Sequence, residues 1–249
     1  MRVALLIPCF VDQLAPQVGL ASARLLERLG CEVYCPAEQT CCGQPFLSAG
    51  ATREARRLAQ RQLRLLEGAD AVVCPSASCA ATLRLRYPRL LGPEEPEALR
   101  LASRCFELGE FVARQLGGAS PGARFPHRVA LLQSCHGLRD LGLGRPSEST
   151  SRARGPGPTE ALLRAVEGLE LALPERDECC GFGGFFAVDF PELSARIGRD
   201  RLRALAETGA EYVTGTDTTC LLHLDGLRRR EGYGPRPIHL AEILTAGIG

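Results

Sequence analysis

Twelve of the 249 residues are cysteine, and a thiol is at once a nucleophile, half of a redox couple and a soft metal ligand. Eight of the twelve fall in a repeated order. Cys9 follows the apolar run Val3-Ala4-Leu5-Leu6-Ile7, Cys41 and Cys42 are adjacent and precede Gly43, and Cys79 comes later; Cys135, Cys179-Cys180-Gly181 and Cys220 repeat that order. Four thiolates brought to one point are the ligand set of a tetrahedral zinc site or of an iron–sulfur cluster. The alternative, that cysteine is simply a small buried hydrophobe, explains one such residue better than eight in register. It is the reading for Cys31, Cys35, Cys74 and Cys105, which have no counterparts, although Cys35 and Cys74 fall near the first set. No export signal precedes the first apolar run, which is short and broken by Pro8, so a reducing cytoplasm is expected, where thiols serve as ligands more than as disulfides. Thiol–disulfide chemistry within Cys41-Cys42 or Cys179-Cys180 would need strained bridging of neighbours.

The elements that must position these thiols are duplicated too. Val3-Ala4-Leu5-Leu6 recurs as Val129-Ala130-Leu131-Leu132, Ala69-Asp70-Ala71-Val72-Val73 as Ala210-Glu211-Tyr212-Val213-Thr214, and Leu108-Gly109-Glu110-Phe111-Val112 as Leu240-Ala241-Glu242-Ile243-Leu244. The repeats divide the chain into a first domain, 1–117, and a second, 127–249, with a Gly-rich linker over 117–124. The continuous apolar run at 2–8 predicts a buried strand; apolar spacing predicts helices over 14–29 and 51–67 and around 195–205, stopped by Gly30, Gly68 and Gly209, each followed by a strand, at 32–35, 71–74 and 212–214. Alternating strand and helix predicts an α/β fold: two tandem, pseudo-symmetric, Rossmann-like domains, each a parallel sheet wound on both faces. Residues 144–158, rich in Gly, Pro and Ser, read as a surface loop. In such sheets the loops at the carboxyl ends of the strands meet on one edge, so the four thiols of each half are expected to gather.

Local chemistry supports that placement. Ser76 or Ser78 is a good N-cap for the helix carrying Cys79, and Asp217 for the one carrying Cys220. Free N–H groups in a helical first turn favour thiolate. Gly43 and the Gly181-Phe182-Gly183-Gly184 run let backbone approach a bulky inorganic group. That run is not a dinucleotide fingerprint, since it follows a cysteine pair and places Phe186 where a third glycine would be needed.

The stretches Ile7-Pro8-Cys9, Thr40-Cys41-Cys42-Gly43-Gln44-Pro45 and Pro75-Ser76-Ala77-Ser78-Cys79, with Ser134-Cys135-His136, Glu178-Cys179-Cys180-Gly181-Phe182-Gly183-Gly184 and Asp217-Thr218-Thr219-Cys220-Leu221, resemble the motifs of the cysteine-rich CCG-domain family. That family includes the cysteine-rich subunit of heterodisulfide reductase, the iron–sulfur subunits of glycolate and glycerol-3-phosphate oxidation, and the two-repeat subunits of bacterial L-lactate oxidation. The resemblance covers nearly the whole chain. It implies cofactor ligation by Cys9, Cys41, Cys42 and Cys79 at one centre and by Cys135, Cys179, Cys180 and Cys220 at another. It implies one or two [4Fe–4S] clusters, with zinc at one site as an alternative. The implied role is an iron–sulfur redox subunit of a 2-hydroxy-acid oxidation complex, L-lactate first among its donors, passing electrons toward an acceptor such as quinone. Its partners would be the other subunits of that complex, including a ferredoxin-like iron–sulfur protein. Glycolate as donor, and a zinc-stabilised assembly protein without redox function, are the other readings. One departure is plain: the heterodisulfide reductase proteins carry a fifth cysteine per repeat, where this chain has Ser76 and Asp217. That argues against non-cubane clusters and disulfide reduction, and for the lactate-type subgroup.

The remaining polar residues read more simply. His136 and His223 lie near motif cysteines, where either would donate an outer hydrogen bond or move a proton, but the default is an ordinary polar residue. His127 and His239 read as structural, Glu110 and Glu242 as caps or partners of Arg, and Asp177 and Glu178 as solvated. All thirty basic residues are Arg, against 29 acidic ones; with a net charge of +1 there is no basic excess to attract nucleic acid. The apolar runs are too short to span a bilayer, leaving peripheral association as the only expected membrane contact. No P-loop, nucleophile-elbow serine, or flavin or nicotinamide motif is present.

Overall fold

In the computed structural model, which describes residues 1–118, 122–147 and 156–247, the short apolar runs form parallel strands. In the first half these are β1 (Arg2–Leu5), β2 (Glu32–Tyr34), β3 (Ala71–Cys74) and β4 (Cys105–Glu107); in the second, β5 (Arg128–Leu131), β6 (Glu170–Ala172), β7 (Tyr212–Gly215) and β8 (Arg236–His239). The sheet orders are β2-β1-β3-β4 and β6-β5-β7-β8, every pair parallel. The registers match as well: Val3 lies opposite Val33 and Ala71, and Val129 opposite Leu171 and Tyr212. This is the α/β architecture that the alternation of strand and helix predicts. Only part of the expected linker (119–121) and of the expected surface loop (148–155) lies outside the described residues.

Side-chain alternation along the strands divides the interior. Ala4, Leu6, Val72 and Cys74 face helix Thr52–Leu65 and the helices after β3, packing on Leu63, Leu66, Leu83 and Tyr87. Ala130, Leu132 and Val213 face helices Pro191–Ala206 and Thr218–Glu231, on Leu202, Leu205, Leu221 and Leu224. The opposite faces share one core: Val3, Leu5 and Val73 of the first sheet and Val129 and Leu131 of the second belong to a single cluster with Leu25, Phe111, Leu163 and Ile243. Four helices build this common layer reciprocally. Helix Leu108–Arg114, after β4, packs on Pro158–Arg164, before β6; helix Leu240–Leu244, after β8, packs on Pro16–Arg28, before β2.

Two local expectations are corrected. The first strand ends at Leu5 and does not run on to residue 8; Cys9 opens helix Cys9–Leu14, for which Pro8 supplies the preset entry φ of −59°. Asp217 occupies the N-cap position of helix Thr218–Glu231, yet its side chain makes no cap bond there; Ser76 does cap the helix of Cys79, its oxygen accepting from the Cys79 N–H.

Candidate metal centres

The carboxyl ends of β1, β2 and β3 lead into the segments that carry Cys9, Cys41-Cys42 and Cys79, and those of β5, β6 and β7 into Cys135, Cys179-Cys180 and Cys220. Each set forms a hydrogen-bonded array. In the first, Cys42 donates to Cys79 at 3.4 Å, and Cys41 interacts with both Cys9 and Cys42. In the second, Cys180 donates to Cys220 at 2.9 Å, and Cys179 interacts with both Cys135 and Cys180. All eight expected residues are thus brought together, four and four, with the same internal order.

The electrostatics follow from that order. Hydrogen bonds from Cys42 and then Cys9, helped by the Gly43 N–H at 3.4 Å, hold the Cys41 thiol far below the ordinary range, at about 3. Cys179 is lowered in the same way by Cys135, Cys180 and the Gly181 N–H at 3.3 Å. The donors Cys9, Cys42, Cys135 and Cys180 are pushed up by giving their protons to these bonds, with burial adding to it. Cys42, Cys79 and Cys180 are buried, while Cys135 and Cys179 are exposed, so each array runs from the interior toward the surface.

The glycine after each cysteine pair is required. Gly43 has φ +87° and Gly181 φ +89°, the left-handed region in which a β-carbon is strained. Tyr87, wholly buried, fixes the first pair by donating to the Cys42 carbonyl at 2.8 Å. Ser194 fixes the second by donating to the Gly181 carbonyl at 2.8 Å. The two arrays touch through crossed contacts. Phe10, next to Cys9, packs edge-on against Phe182 at 5.8 Å between centroids, and His136, next to Cys135, meets Gln44 at 2.9 Å.

The chemistry of the donor set fits a thiolate-held metal or cluster, and a buried cation agrees. Arg201 is fully buried, bonds the Arg176 carbonyl through Nη1, and leaves Nε and Nη2 without partners. Burial lowers its pKa, while Asp177, Glu178, Cys180 and Cys179 act on it in the opposite direction. A desolvated guanidinium with spare donors is costly and is offset by an anionic centre beside it. Among the described residues no three His, Cys, Asp or Glu side chains surround a point suited to a single metal ion.

The secondary readings resolve individually. Cys74, at the end of β3, is buried in the same core cluster as Cys79, and burial raises its pKa. Cys31 and Cys105 are core residues and Cys35 is exposed. Glu110 pairs with Arg84 at 2.6 Å and Arg114 at 2.9 Å. His239 caps helix Leu240–Leu244 in a reciprocal box with Glu242, and His127 meets Glu211 at 3.0 Å. His136 also bonds Asp140 at 2.8 Å, and His223 lies beside Phe182, its pKa lowered by burial. Glu178 is exposed, but Asp177 is half-buried and bonds Ser147. Arg201 was hidden in the sequence among thirty arginines. Its spacing from Ser194, Gly198 and Leu205, all on the buried face, was the available signal.

Comparison with known proteins agrees with this geometry. Lactate utilization protein A of Macrococcus caseolyticus is 37% identical over 249 residues, covering 98% of this chain and 96% of that one. The protein of the same name from Geobacillus thermodenitrificans is 39% identical, covering 98% and 99%. A crystal structure of a hypothetical protein from Helicobacter pylori superposes with a TM-score of 0.65 at 12% identity, over 98% of this chain and 48% of that one, a likeness of fold alone. The cysteine-rich domain model called CCG matches residues 3–84 and 129–225, the two stretches that carry the arrays. With both repeats matched and relatives similar over their full length, the chain belongs to the cysteine-rich CCG-domain family.

Proposed function

We propose that this chain is an iron–sulfur redox subunit of a lactate utilization system, built of two cysteine-rich domains, 1–117 and 127–249. Cys9, Cys41, Cys42 and Cys79 hold the first centre, and Cys135, Cys179, Cys180 and Cys220 the second. The observation that carries the reading is the repeated array, in which four cysteines gather in each half with the same internal order and the same glycine N–H donated to the first sulfur of the pair. The full-length relatives named lactate utilization protein A supply the donor. A [4Fe–4S] cluster, when bound, supplies a one-electron centre, and two of them match the two electrons that lactate gives up in becoming pyruvate.

The protein's own residues do the rest. The Gly43 and Gly181 N–H groups donate to thiolate sulfur, which favours the charged ligand. Arg201 places a buried positive charge near the second centre. The exposed Cys135 and Cys179 bring that centre to the surface, where a ferredoxin-like subunit would exchange electrons on the way to quinone. Among the described residues no helix is long and apolar enough to cross a membrane. The proposed setting is the reducing cytoplasm, where such thiols persist.

The test is anaerobic purification followed by iron, sulfide and zinc analysis per chain, with electron spin resonance before and after reduction. About eight irons with equal sulfide are expected, falling to about four in Cys180→Ser or Cys42→Ser. About four irons with one zinc would make one half structural. Zinc alone, or metal content unchanged in both variants, would overturn the proposal.

A further inference from the structure

Asp217 stands at the N-cap position of the helix that carries Cys220, three residues before it, yet its carboxylate leaves that helix to its own backbone. The Cys220 and Leu221 N–H groups bond the Asp217 main-chain carbonyl at 3.0 and 3.2 Å. The side chain crosses to the other half of the molecule. Its Oδ1 accepts the Ser76 hydroxyl at 2.7 Å, the Ser78 hydroxyl at 2.8 Å and the Ser78 N–H at 3.1 Å. Ser76 gives its proton to Asp217, so its oxygen accepts from the N–H of Cys79, at 3.4 Å. Asp217 and Ser76 are only 3% and 5% exposed.

We infer that Asp217 is a positioning residue for the first cysteine site, acting from the second half through Ser76 on Cys79. The inference rests on the reading of Cys79 as a ligand. Its physical basis is the cost of a buried carboxylate, which is offset here by three donors on Oδ1, all from the turn that presents Cys79, while Oδ2 is buried without a partner among the described residues, so loss of those donors would leave the group wholly unsupported. Those donors fix the entry of helix Ala77–Ala81, and the relay orients the amide of Cys79 itself. The contact is not reciprocal. Ser76 serves its own helix, and no side chain caps the helix of Cys220. The two sites are therefore unequal: the first depends on a residue of the second motif, while the second lacks the corresponding support. Ser76 and Asp217 are the two positions at which this chain departs from the five-cysteine pattern, and in place of two thiols they form one bond between the halves.

Amide hydrogen exchange on the metal-free full chain tests the relay directly. In Asp217→Ala the amides of Ser78 and Cys79 should exchange roughly tenfold faster or more, the worth of a lost charge-assisted bond, while those of Cys220 and Leu221 stay within about twofold. Asp217→Asn keeps an acceptor oxygen and should recover most of the protection. Ser76→Ala cuts the relay from the other side, should reproduce the effect at Cys79, and should add little to Asp217→Ala. With metal bound, Asp217→Ala should speed loss to a chelator roughly tenfold when the first centre alone is present, in Cys180→Ser, and change it less than about twofold when the second alone is present, in Cys42→Ser. Faster exchange at 220–221 in place of 78–79, or faster metal loss from the second site, would make Asp217 a local cap and overturn the inference. If exchange responds as expected and neither single-site chain holds metal, the relay stands and the ligand assignment fails.

Discussion

Gly43 and Gly181 occupy the same place in the two motifs with nearly the same backbone, φ +87° and +89°, yet alanine should affect them very differently. Either substitution forces a β-carbon into the left-handed region, at about 1–2 kcal/mol. At Gly43 nothing more is added: the new carbon would lie 3.6 Å from the Ala55 carbonyl oxygen and from Leu58 Cβ, an ordinary contact. At Gly181 it would lie 2.4 Å from the Ser194 carbonyl oxygen and 2.8 Å from the Gly198 nitrogen, both backbone atoms of helix Pro191–Ala206. That helix carries Leu202 and Leu205 into the second core and has no flexible tip to give way. Overpacking against rigid backbone adds about 1–3 kcal/mol, so Gly181→Ala should cost about 2–5 kcal/mol in all, against about 1–2 for Gly43→Ala. Urea melts of the metal-free chains measure the difference directly. In thermal melts each kcal/mol should appear as about 2–4 °C of Tm at this size. Metal analysis should then show Gly181→Ala depleted at the second centre and Gly43→Ala close to full. Equal destabilisation by the two substitutions, or a larger loss at Gly43, would refute the role given to helix contact.

Three further outcomes are expected. Glu107 is wholly buried, and desolvation pushes its carboxyl from 4.5 up to about 7 against the pull of the Gly109 and Glu110 N–H groups. Between those values the folded chain keeps a proton that the unfolded chain releases. Stability should therefore be highest below this window and fall by about 3 kcal/mol as pH rises through it, a slope that Glu107→Gln removes in urea melts at pH 5 and 7.5. Tyr87→Phe deletes a buried bond to the Cys42 carbonyl and should cost about 1–2 kcal/mol, with metal loss from the first centre accelerated and the second unaffected. Arg201→Gln copies the neutral Gln62 of the corresponding helix, which bonds the Thr40 carbonyl at 2.7 Å. Removing this buried charge should stabilise the metal-free chain by on the order of 1 kcal/mol and lower the reduction potential of the second centre alone, as read by redox titration.

What the sequence revealed and what it concealed divide along physical lines. The central strands β1, β3, β5 and β7 were legible because burial on both faces leaves an unbroken apolar run such as Ala71-Val72-Val73. Strands β4, β6 and β8 were not, because at a sheet edge they mix polar with apolar residues and leave no unbroken run, whereas the edge strand β2 was marked by the Gly30 that ends the helix before it. One of them, Arg236–His239, even contains Pro237, which an edge tolerates and a centre does not. The gathering of the eight motif cysteines followed from strand order and parallel pairing, which repetition made readable. The reach of Asp217 to Ser76 did not, because every local rule assigns such a residue to its own helix. Burial of Arg201 likewise depends on tertiary packing, with only the helical spacing to hint at it.

The common layer between the sheets also bears on how the protein is made. Ile243 and Leu244 complete the cluster that covers Val3, Leu5 and Leu25, by way of the packing of Leu240–Leu244 on Pro16–Arg28. A ribosome releases the first motif, with Cys9, Cys41, Cys42 and Cys79, long before it reaches those residues. Until it does, that face of the first sheet is covered only by its own helices Pro16–Arg28 and Leu108–Arg114, whose outer sides lack their second-half partners, and domain-by-domain folding during synthesis has only a partly closed first unit to produce. Cofactor loading at the first centre should thus follow chain completion, so that truncated products carry exposed thiols and apolar surface together and become early targets for quality control.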